Sequence, residues 1–206
     1  MNASARDDLS RLRAIAEEGR RAPLLGGWHL ILWGSAIALA LLINWAVAER
    51  LLPLPGWSLA ISWFGITLAA WAGSALIGRH HAATAEACAV GNRVERTAWM
   101  TAGAFLTILA LAILARGLAS GDPAEFMLFA VMPPVTFGAY AVALQVSAVA
   151  AGSRSAMPYM LVALAFAALT TFLIGERAQY LAAAAGILLV SIPAGLGHLA
   201  AERRAA

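Results

Sequence analysis

The chain contains no lysine, only one cysteine, and no Asp, Glu, Lys or Arg inside any of its long apolar runs. A single cysteine, Cys88, excludes an intrachain disulfide. Charge within the membrane is the usual mark of proton relays, ion paths and voltage sensors, and the apolar runs lack that mark. The chain also lacks the H-E-x-x-H, Gly-x-Ser-x-Gly and Walker-type patterns. We therefore predict a protein that is not an enzyme and has no catalytic residue, cofactor or metal site.

What the chain does have is apolar sequence, since 62% of its residues are hydrophobic and 12% are charged. Six runs come close to the ~20 apolar residues that cross ~30 Å of hydrocarbon as a helix. Backbone groups find no water in the bilayer core, and runs of this length satisfy them as helices rather than as barrel strands. The sequence predicts an all-α, polytopic membrane helical bundle with six transmembrane helices, at residues 28–47, 57–77, 98–115, 126–150, 157–174 and 179–199.

Arginine carries the positive charge of the chain, and its distribution predicts the orientation. If the first residue lies in the cytoplasm, the predicted outer loops hold only Arg50, Arg116 and Arg177, and the other arginines fall on the inner side. Short cytoplasmic loops are the ones normally enriched in arginine. We therefore predict a multi-pass protein of the bacterial inner (cytoplasmic) membrane with both termini cytoplasmic. Its formal charge of +3 favours contact with the anionic lipid bilayer and not with nucleic acid, because no basic patch with interleaved aromatics occurs.

The predicted organisation has three parts. Residues 1–27 form a cytoplasmic amphipathic helix and a turn, residues 28–199 form the transmembrane domain, and residues 200–206 form a cytoplasmic tail. The longest polar connection, residues 78–97, is a cytoplasmic loop between the second and third spans. Most of the polar sequence is therefore expected on the cytoplasmic side.

The amphipathic helix is predicted over residues 5–20. Its apolar side chains recur at i, i+4, i+7 and i+11 as a narrow stripe, and oppositely charged side chains pair at i,i+4 on the polar faces. Two interpretations stay open: an elbow that lies on the inner leaflet or the bundle, and a docking helix for a protein partner. The candidate docking residues on this helix and on the polar loop are Leu9, Leu12, Arg13, Arg20, Arg21, Arg93 and Arg96.

The histidines give little support for a metal or haem site. In a helix, His81 and Cys88 would lie two turns apart, about 10.5 Å along the axis, which is too far for one ion with bonds of about 2 Å. His29 and His198 fall near predicted cytoplasmic helix ends, and we do not expect a haem between them. The preferred roles of residues 78–97 are anchoring to the inner leaflet and contact with a partner.

Polar groups inside the predicted spans are limited to amides, hydroxyls and interfacial rings. Pro133 and Pro134 interrupt the backbone hydrogen bonds of the fourth predicted span, and Tyr140 and Gln145 follow them. Together with Asn44 of the first span, these residues are the best candidates for a ligand pocket or a flexing element.

Small residues predict where helices approach one another closely. Gly65, Ala69 and Gly73 form a small-xxx-small stripe on the second span. The stripe allows packing within the chain or between copies, so self-association is an open alternative. Trp71 in the same span and Tyr140 in the fourth are expected to face the bundle interior, where the N–H or O–H group can find a partner.

Three stretches of the chain carry a resemblance to a known group of proteins. Residues 16–27 (AEEGRRAPLLGG), 33–34 (WG) and 91–96 (GNRVER) look like those of uncharacterised proteobacterial six-span inner-membrane proteins. The likeness covers the first half of the chain best. It implies an inner-membrane location and a helical fold, and it supplies no site residues. It also suggests the hypothesis that the two polar cytoplasmic segments matter more for function than the lipid-facing spans.

Two functional hypotheses of different classes follow. In the first, the chain is a non-enzymatic accessory or regulatory protein whose cytoplasmic face, residues 5–21 and 79–96, docks a protein partner. In the second, it is a small transporter or ABC-type permease subunit for a neutral or apolar solute, with Asn44, Tyr140 and Gln145 along the path. A co-purifying ATPase subunit would favour the permease, and a co-purifying regulator would favour docking.

Overall fold

A computed structural model describes residues 24–81, 89–152 and 155–205 of the chain. Within these ranges the regular structure is helical throughout, which confirms the predicted all-α class for the described residues. The helices, numbered in chain order, are α1 (Gly27–Ala48), α2 (Trp57–His81), α3 (Val90–Ser120), a 3-10 helix (Pro123–Val131), α4 (Met132–Ala150), α5 (Met157–Phe172) and α6 (Ala178–Ala205).

Five of the described helices are long and apolar enough to cross a membrane: α1, α2, α3, the 3-10 helix joined to α4, and α6. The chain is therefore a multi-pass membrane protein. α5 has 16 residues and is about 24 Å long, which is shorter than the ~30 Å hydrocarbon core. By length, the described helices account for five of the six predicted spans. The predicted amphipathic helix at residues 5–20 lies outside the described residues.

The proline pair lies at a helix junction and not inside a continuous helix. Pro133 and Pro134 occupy the first turn of α4, directly after the 3-10 helix. A missing N–H costs little there, because the first N–H groups of a helix have no intrahelical acceptor. The predicted interruption of the fourth span is thus a change from 3-10 to α geometry. Pro193, which the sequence analysis did not single out, lies inside α6.

The helices alternate in direction, so their termini collect at two ends. The turn before α1, the start of α3 and the last turns of α6 meet at one end, which we call the clasp end. At the opposite end, Arg177 Nη1 lies 3.4 Å from Glu49 Oε2. The buried Gln179 side chain of α6 donates to the carbonyls of Ala130 and Thr170 over 2.7 and 2.9 Å. These bonds tie α6 to the 3-10 helix and to α5.

The core lies where α1, α4, α5 and α6 pack together. Its largest buried side chains include Phe137, Leu144 and Ile187. The most extensive helix contact joins α1 to α6, where Gly34 of α1 lies against Ser191 of α6. Small residues at this interface let the two backbones approach closely. α2 and α3 bury much less of their length and lie at the periphery.

α2 packs against α1 along one side. Trp33 Nε1 donates to Ser74 Oγ over 2.8 Å, and the Trp33 ring meets the Trp71 ring edge to face at 5.9 Å between centroids. Trp71 is nevertheless 57% exposed, so the prediction that it faces the interior is wrong. A peripheral helix has few neighbours to cover its rings. The same prediction is confirmed for Tyr140, which is 6% exposed.

Only part of the small-residue stripe on α2 contacts another helix of the chain. Gly73 lies against the Leu32 side chain, since a Cβ built on Gly73 would be 2.8 Å from Leu32 Cδ2. Ala70, one position away from the stripe, is buried. Gly65 and Ala69 are exposed. The predicted self-association along this stripe stays a prediction.

Candidate functional site

The turn that leads into α1 is held by two side chains of α3. The backbone N–H of Leu25 donates to Asn92 Oδ1 over 2.8 Å. The N–H of Gly26 lies within hydrogen-bonding reach of the Glu95 carboxyl group. The Leu25 N–H has no acceptor within the helix that follows, and Asn92 of α3 supplies one. We call this arrangement of Leu25, Gly26, Asn92 and Glu95 the clasp.

α3 directs its polar and its basic residues to different sides. Asn92, Glu95 and Trp99 follow i, i+3 and i+7 spacing and therefore share one face. This face points inward, where Asn92 and Glu95 are 7% and 3% exposed. Arg93 and Arg96 lie between them in sequence and are exposed. Helical geometry therefore separates a carboxyl group from the arginines that flank it.

Glycine is needed where the backbones meet at the clasp end. A Cβ on Gly26 would lie 2.6 Å from Glu95 Oε1. A Cβ on Gly27 would lie 2.8 Å from the Gly195 carbonyl oxygen, and one on Gly195 would lie 2.7 Å from the Gly27 carbonyl oxygen. The last two contacts are with backbone atoms, which cannot move aside as a flexible side chain can. The Gly26-Gly27 pair thus allows the turn to lie against both α3 and α6.

Glu95 also faces a histidine of α6. His198 Nδ1 lies 3.6 Å from Glu95 Oε1, and the two side chains are 12% and 4% exposed. Neither atom has a hydrogen-bond partner among the described residues. A buried carboxylate without a counter-charge is costly, whereas one proton held by the pair makes it neutral overall. The pair is chemically able to hold a single proton beside the turn.

Polar side chains continue from this pair into the core. The Trp99 ring lies one turn beyond Glu95 and meets Tyr140 edge to face, with ring centroids 4.8 Å apart. The Tyr140 hydroxyl faces the hydroxyl of Ser191, two turns before His198 on α6. The polar atoms of Trp99 and Ser191 are buried and, within the described residues, lack a well-formed hydrogen bond. Trp99, Tyr140 and Ser191 thus form a row of buried polar side chains through α3, α4 and α6, which we call the buried polar line. The clasp lies at its outer end.

The residues predicted to form a pocket differ in burial and in their position along the bundle. Tyr140 belongs to the buried polar line, whereas Gln145, five positions further along α4, is exposed. Asn44 is half-buried near the end of α1. Pro133 and Pro134 lie at the opposite end of the molecule, at the start of α4. Of these five residues, Tyr140 is the one that contacts Trp99 of the same buried polar line.

Of the predicted docking residues, the structure describes Arg93 and Arg96. Both are exposed at the clasp end, and neither forms an ion pair with a described carboxyl group. Their guanidinium groups therefore face outward from α3. The other predicted docking residues lie outside the described part of the chain: Leu9, Leu12, Arg13, Arg20 and Arg21.

Asn92, Glu95 and His198 were not among the predicted site residues. Glu95 lies between two arginines, a pattern that is typical of a solvated charged loop. The signal that could have found it is the spacing of Asn92, Glu95 and Trp99, which places polar groups on one face just before an apolar span. The position of His198 near a predicted helix end is typical of an interfacial histidine, and no local pattern links it to Glu95.

The geometry suits holding a backbone turn better than holding a metal. Among the described residues, no group of three or more His, Cys, Asp or Glu side chains could bind one ion. Glu95 and His198 supply two ligands at most, and structural or catalytic metal sites use three or more protein ligands. No protein-family model, curated protein or solved structure matches the chain. Function must therefore be inferred from the site itself.

Proposed function

We propose that the chain is a non-enzymatic accessory or regulatory protein of the bacterial inner membrane that docks a protein partner at the clasp end. The observation that carries this proposal is the clasp, in which Asn92 accepts the Leu25 N–H and Glu95 lies against Gly26 in the turn ahead of α1. The predicted amphipathic helix ends at residue 20, four residues before the first described residue. The clasp therefore determines where that segment joins the membrane domain, beside the exposed Arg93 and Arg96.

The ion pairing of arginines differs between the two ends and supports a protein partner at the clasp end. At the opposite end, Arg116 and Arg177 are paired with Glu125 and Glu49, and Arg50 is the described arginine there without an ion pair to a described carboxyl group. The described arginines of the clasp end are exposed and form no ion pair with a described carboxyl group. Unpaired surface charge steers and orients a partner of opposite sign. An acidic surface on the partner is the complement that this face would select.

A six-span topology with both termini cytoplasmic is part of the proposal. α5 would be the sixth span, and its short length is compatible with local thinning of the bilayer. The bonds from Gln179 to Ala130 and Thr170 support a crossing, because they put the end of α5 at the end opposite the clasp. The arginine asymmetry supports a cytoplasmic clasp end.

The resemblance to proteobacterial inner-membrane proteins agrees with this site. Two of the stretches that carry the resemblance, residues 16–27 and 91–96, adjoin at the clasp through the contact of Leu25 with Asn92. The transporter hypothesis needs Asn44, Tyr140 and Gln145 along one path, and their described positions do not favour it. We therefore propose no second function.

The proposal is tested by capture from the native membrane. The chain, tagged at its C-terminus, is purified in mild detergent, and proteins that co-elute at stoichiometric levels are identified by mass spectrometry. We expect deletion of residues 1–22 and the substitution Arg96→Glu each to abolish capture of the partner. Membrane levels should match those of the wild type, because both changes lie outside the apolar core.

The matched control is Arg50→Glu, which makes the same charge change at an exposed arginine of the opposite end. We expect this variant to capture the partner as the wild type does. Unchanged capture by both the deletion and Arg96→Glu would overturn the proposal. Stoichiometric recovery of an ATPase subunit would instead support the permease hypothesis.

A further inference from the structure

An apolar groove of about 920 Å³ runs along the outer side of α3 and α4. Its walls include Ala98 and Phe105 of α3 and Gly138 and Val142 of α4. Small residues on both helices give the groove its depth. Its volume lies within the 300–1,000 Å³ that is usual for ligand sites. A hydrophobic ligand therefore fits the groove by size and by chemistry.

The groove has the length of a lipid chain. On α3 its lining extends from Val90 to Phe105, which is about 22 Å of helix at 1.5 Å per residue. One leaflet of the hydrocarbon core is about 15 Å thick. The groove therefore begins at the clasp end and is long enough to hold an acyl chain through a whole leaflet.

One charged side chain lines the groove, and it lies near one end. Arg93 is exposed there and, among the described carboxyl groups, has no ion-pair partner. The nearby Thr97 hydroxyl donates to the Arg93 carbonyl over 2.8 Å, so this polar atom is already satisfied within α3. A long apolar groove with a guanidinium group at one end matches a long apolar chain with an anionic head.

We propose that this groove binds one anionic glycerophospholipid, with an acyl chain between α3 and α4 and the phosphate beside Arg93. The guanidinium group is suited to phosphate because its N–H donors can form two parallel bonds. A groove that opens towards lipid exposes its walls to acyl chains directly. The charge of Arg93 favours an anionic headgroup over a zwitterionic one.

The test uses native mass spectrometry of the full chain in mild detergent. Phosphatidylglycerol and phosphatidylcholine with identical acyl chains are added in equal amounts, and the lipid retained per chain is counted. We expect one phosphatidylglycerol to be retained in preference. Arg93→Gln should lower its retention about fivefold, the effect of one basic residue near an anionic surface. Arg93→Lys should keep most of the preference.

Two further variants separate this site from general lipid contact. Arg96→Gln removes an exposed arginine that does not line the groove, and it should leave retention unchanged. Gly138→Leu should lower retention of both lipids by filling the groove. A Cβ on Gly138 meets nothing within 4 Å, so this variant should keep the fold and its thermal midpoint.

Four outcomes would overturn the proposal. Equal losses in Arg93→Gln and Arg96→Gln would mean that Arg93 has no special role. Unchanged retention in Gly138→Leu would place the lipid elsewhere. Displacement of the lipid by excess soluble glycerol phosphate would indicate a phosphate site without an acyl chain. A dimer that is lost in Gly138→Leu would make a second copy the occupant of the groove.

Discussion

Charged side chains are paired and buried differently at the two ends of the bundle. At the opposite end, Arg116 Nε donates to Glu125 Oε2 over 2.6 Å and Arg116 Nη2 to Oε1 over 3.0 Å, in an exposed pair. At the clasp end, Glu95 is buried against a backbone turn and a histidine, while its neighbours Arg93 and Arg96 face outward. At the opposite end Arg116 lies against a carboxylate, whereas at the clasp end helical geometry keeps Glu95 apart from Arg93 and Arg96.

This difference assigns different roles to the ends. An exposed carboxylate and guanidinium pair contributes little to stability, because water solvates both groups well when they separate. The buried Asn92 amide oxygen that accepts the Leu25 N–H fixes the geometry of the turn, because loss of this acceptor leaves a backbone donor unpaired. We therefore expect the clasp end to determine structure and to leave its arginines available for lipid and partner.

The largest effect is expected at the glycine contact between α1 and α6. Gly195→Ala should lower the free energy of unfolding by about 1–3 kcal/mol, because its Cβ would lie against backbone and must separate the helices. The measurement is unfolding in detergent with increasing denaturant. The matched control is Gly197→Ala on the same helix, whose Cβ meets nothing within 4 Å. Equal losses in both variants would show that the contact is not tight.

The next effect is expected at the buried carboxyl group. Glu95→Ala should lower the free energy of unfolding by about 2 kcal/mol, because it removes the buried group that Gly26 and His198 lie against and leaves a cavity there. Hydrogen exchange at Leu25 and Gly26 should become faster. At the opposite end, Glu125→Ala should have a much smaller effect on unfolding. A comparable loss in the two variants would contradict the difference between the ends.

The opposite end has a buried polar side chain of its own, Gln179. Its contribution to the free energy of unfolding should be independent of the clasp. Gln179→Leu removes two hydrogen bonds to carbonyl groups and should lower the free energy of unfolding by about 0.6–1.7 kcal/mol, the range for such bonds in membrane proteins. The losses in free energy of unfolding caused by Gln179→Leu and by Glu95→Ala should add in the double variant, because the two sites share no partner. Marked non-additivity would indicate that the two ends are coupled.

The smallest effect is expected at the exposed ion pair. Arg116→Ala should leave the thermal midpoint in detergent nearly unchanged, because the Arg116 side chain is 65% exposed and water solvates it when the pair separates. Raising the salt concentration should also change the midpoint of the wild type little. A clear loss of stability in Arg116→Ala, matched by Glu125→Ala, would show that this pair also orders its end of the molecule.

Sequence patterns predicted the helices well and the contacts between them less well. Tyr140 was correctly expected in the interior, yet the same argument failed for Trp71, because burial depends on how many helices surround a position. Pro133 and Pro134 predict an interruption of the fourth span, and only the structure places them at a 3-10 junction. Glu95 was missed because its flanking arginines suggest a solvated charge when the chain is considered locally.

The sequence by itself determined the class of the protein. Long apolar runs without charge can satisfy their backbones only as helices in lipid, and this requirement does not depend on which helices meet. The tertiary structure decided the site. Glu95 meets Gly26 and His198 only because α1, α3 and α6 end side by side, and glycine lets their backbones approach. Contacts between distant parts of a chain depend on packing, which local patterns do not encode.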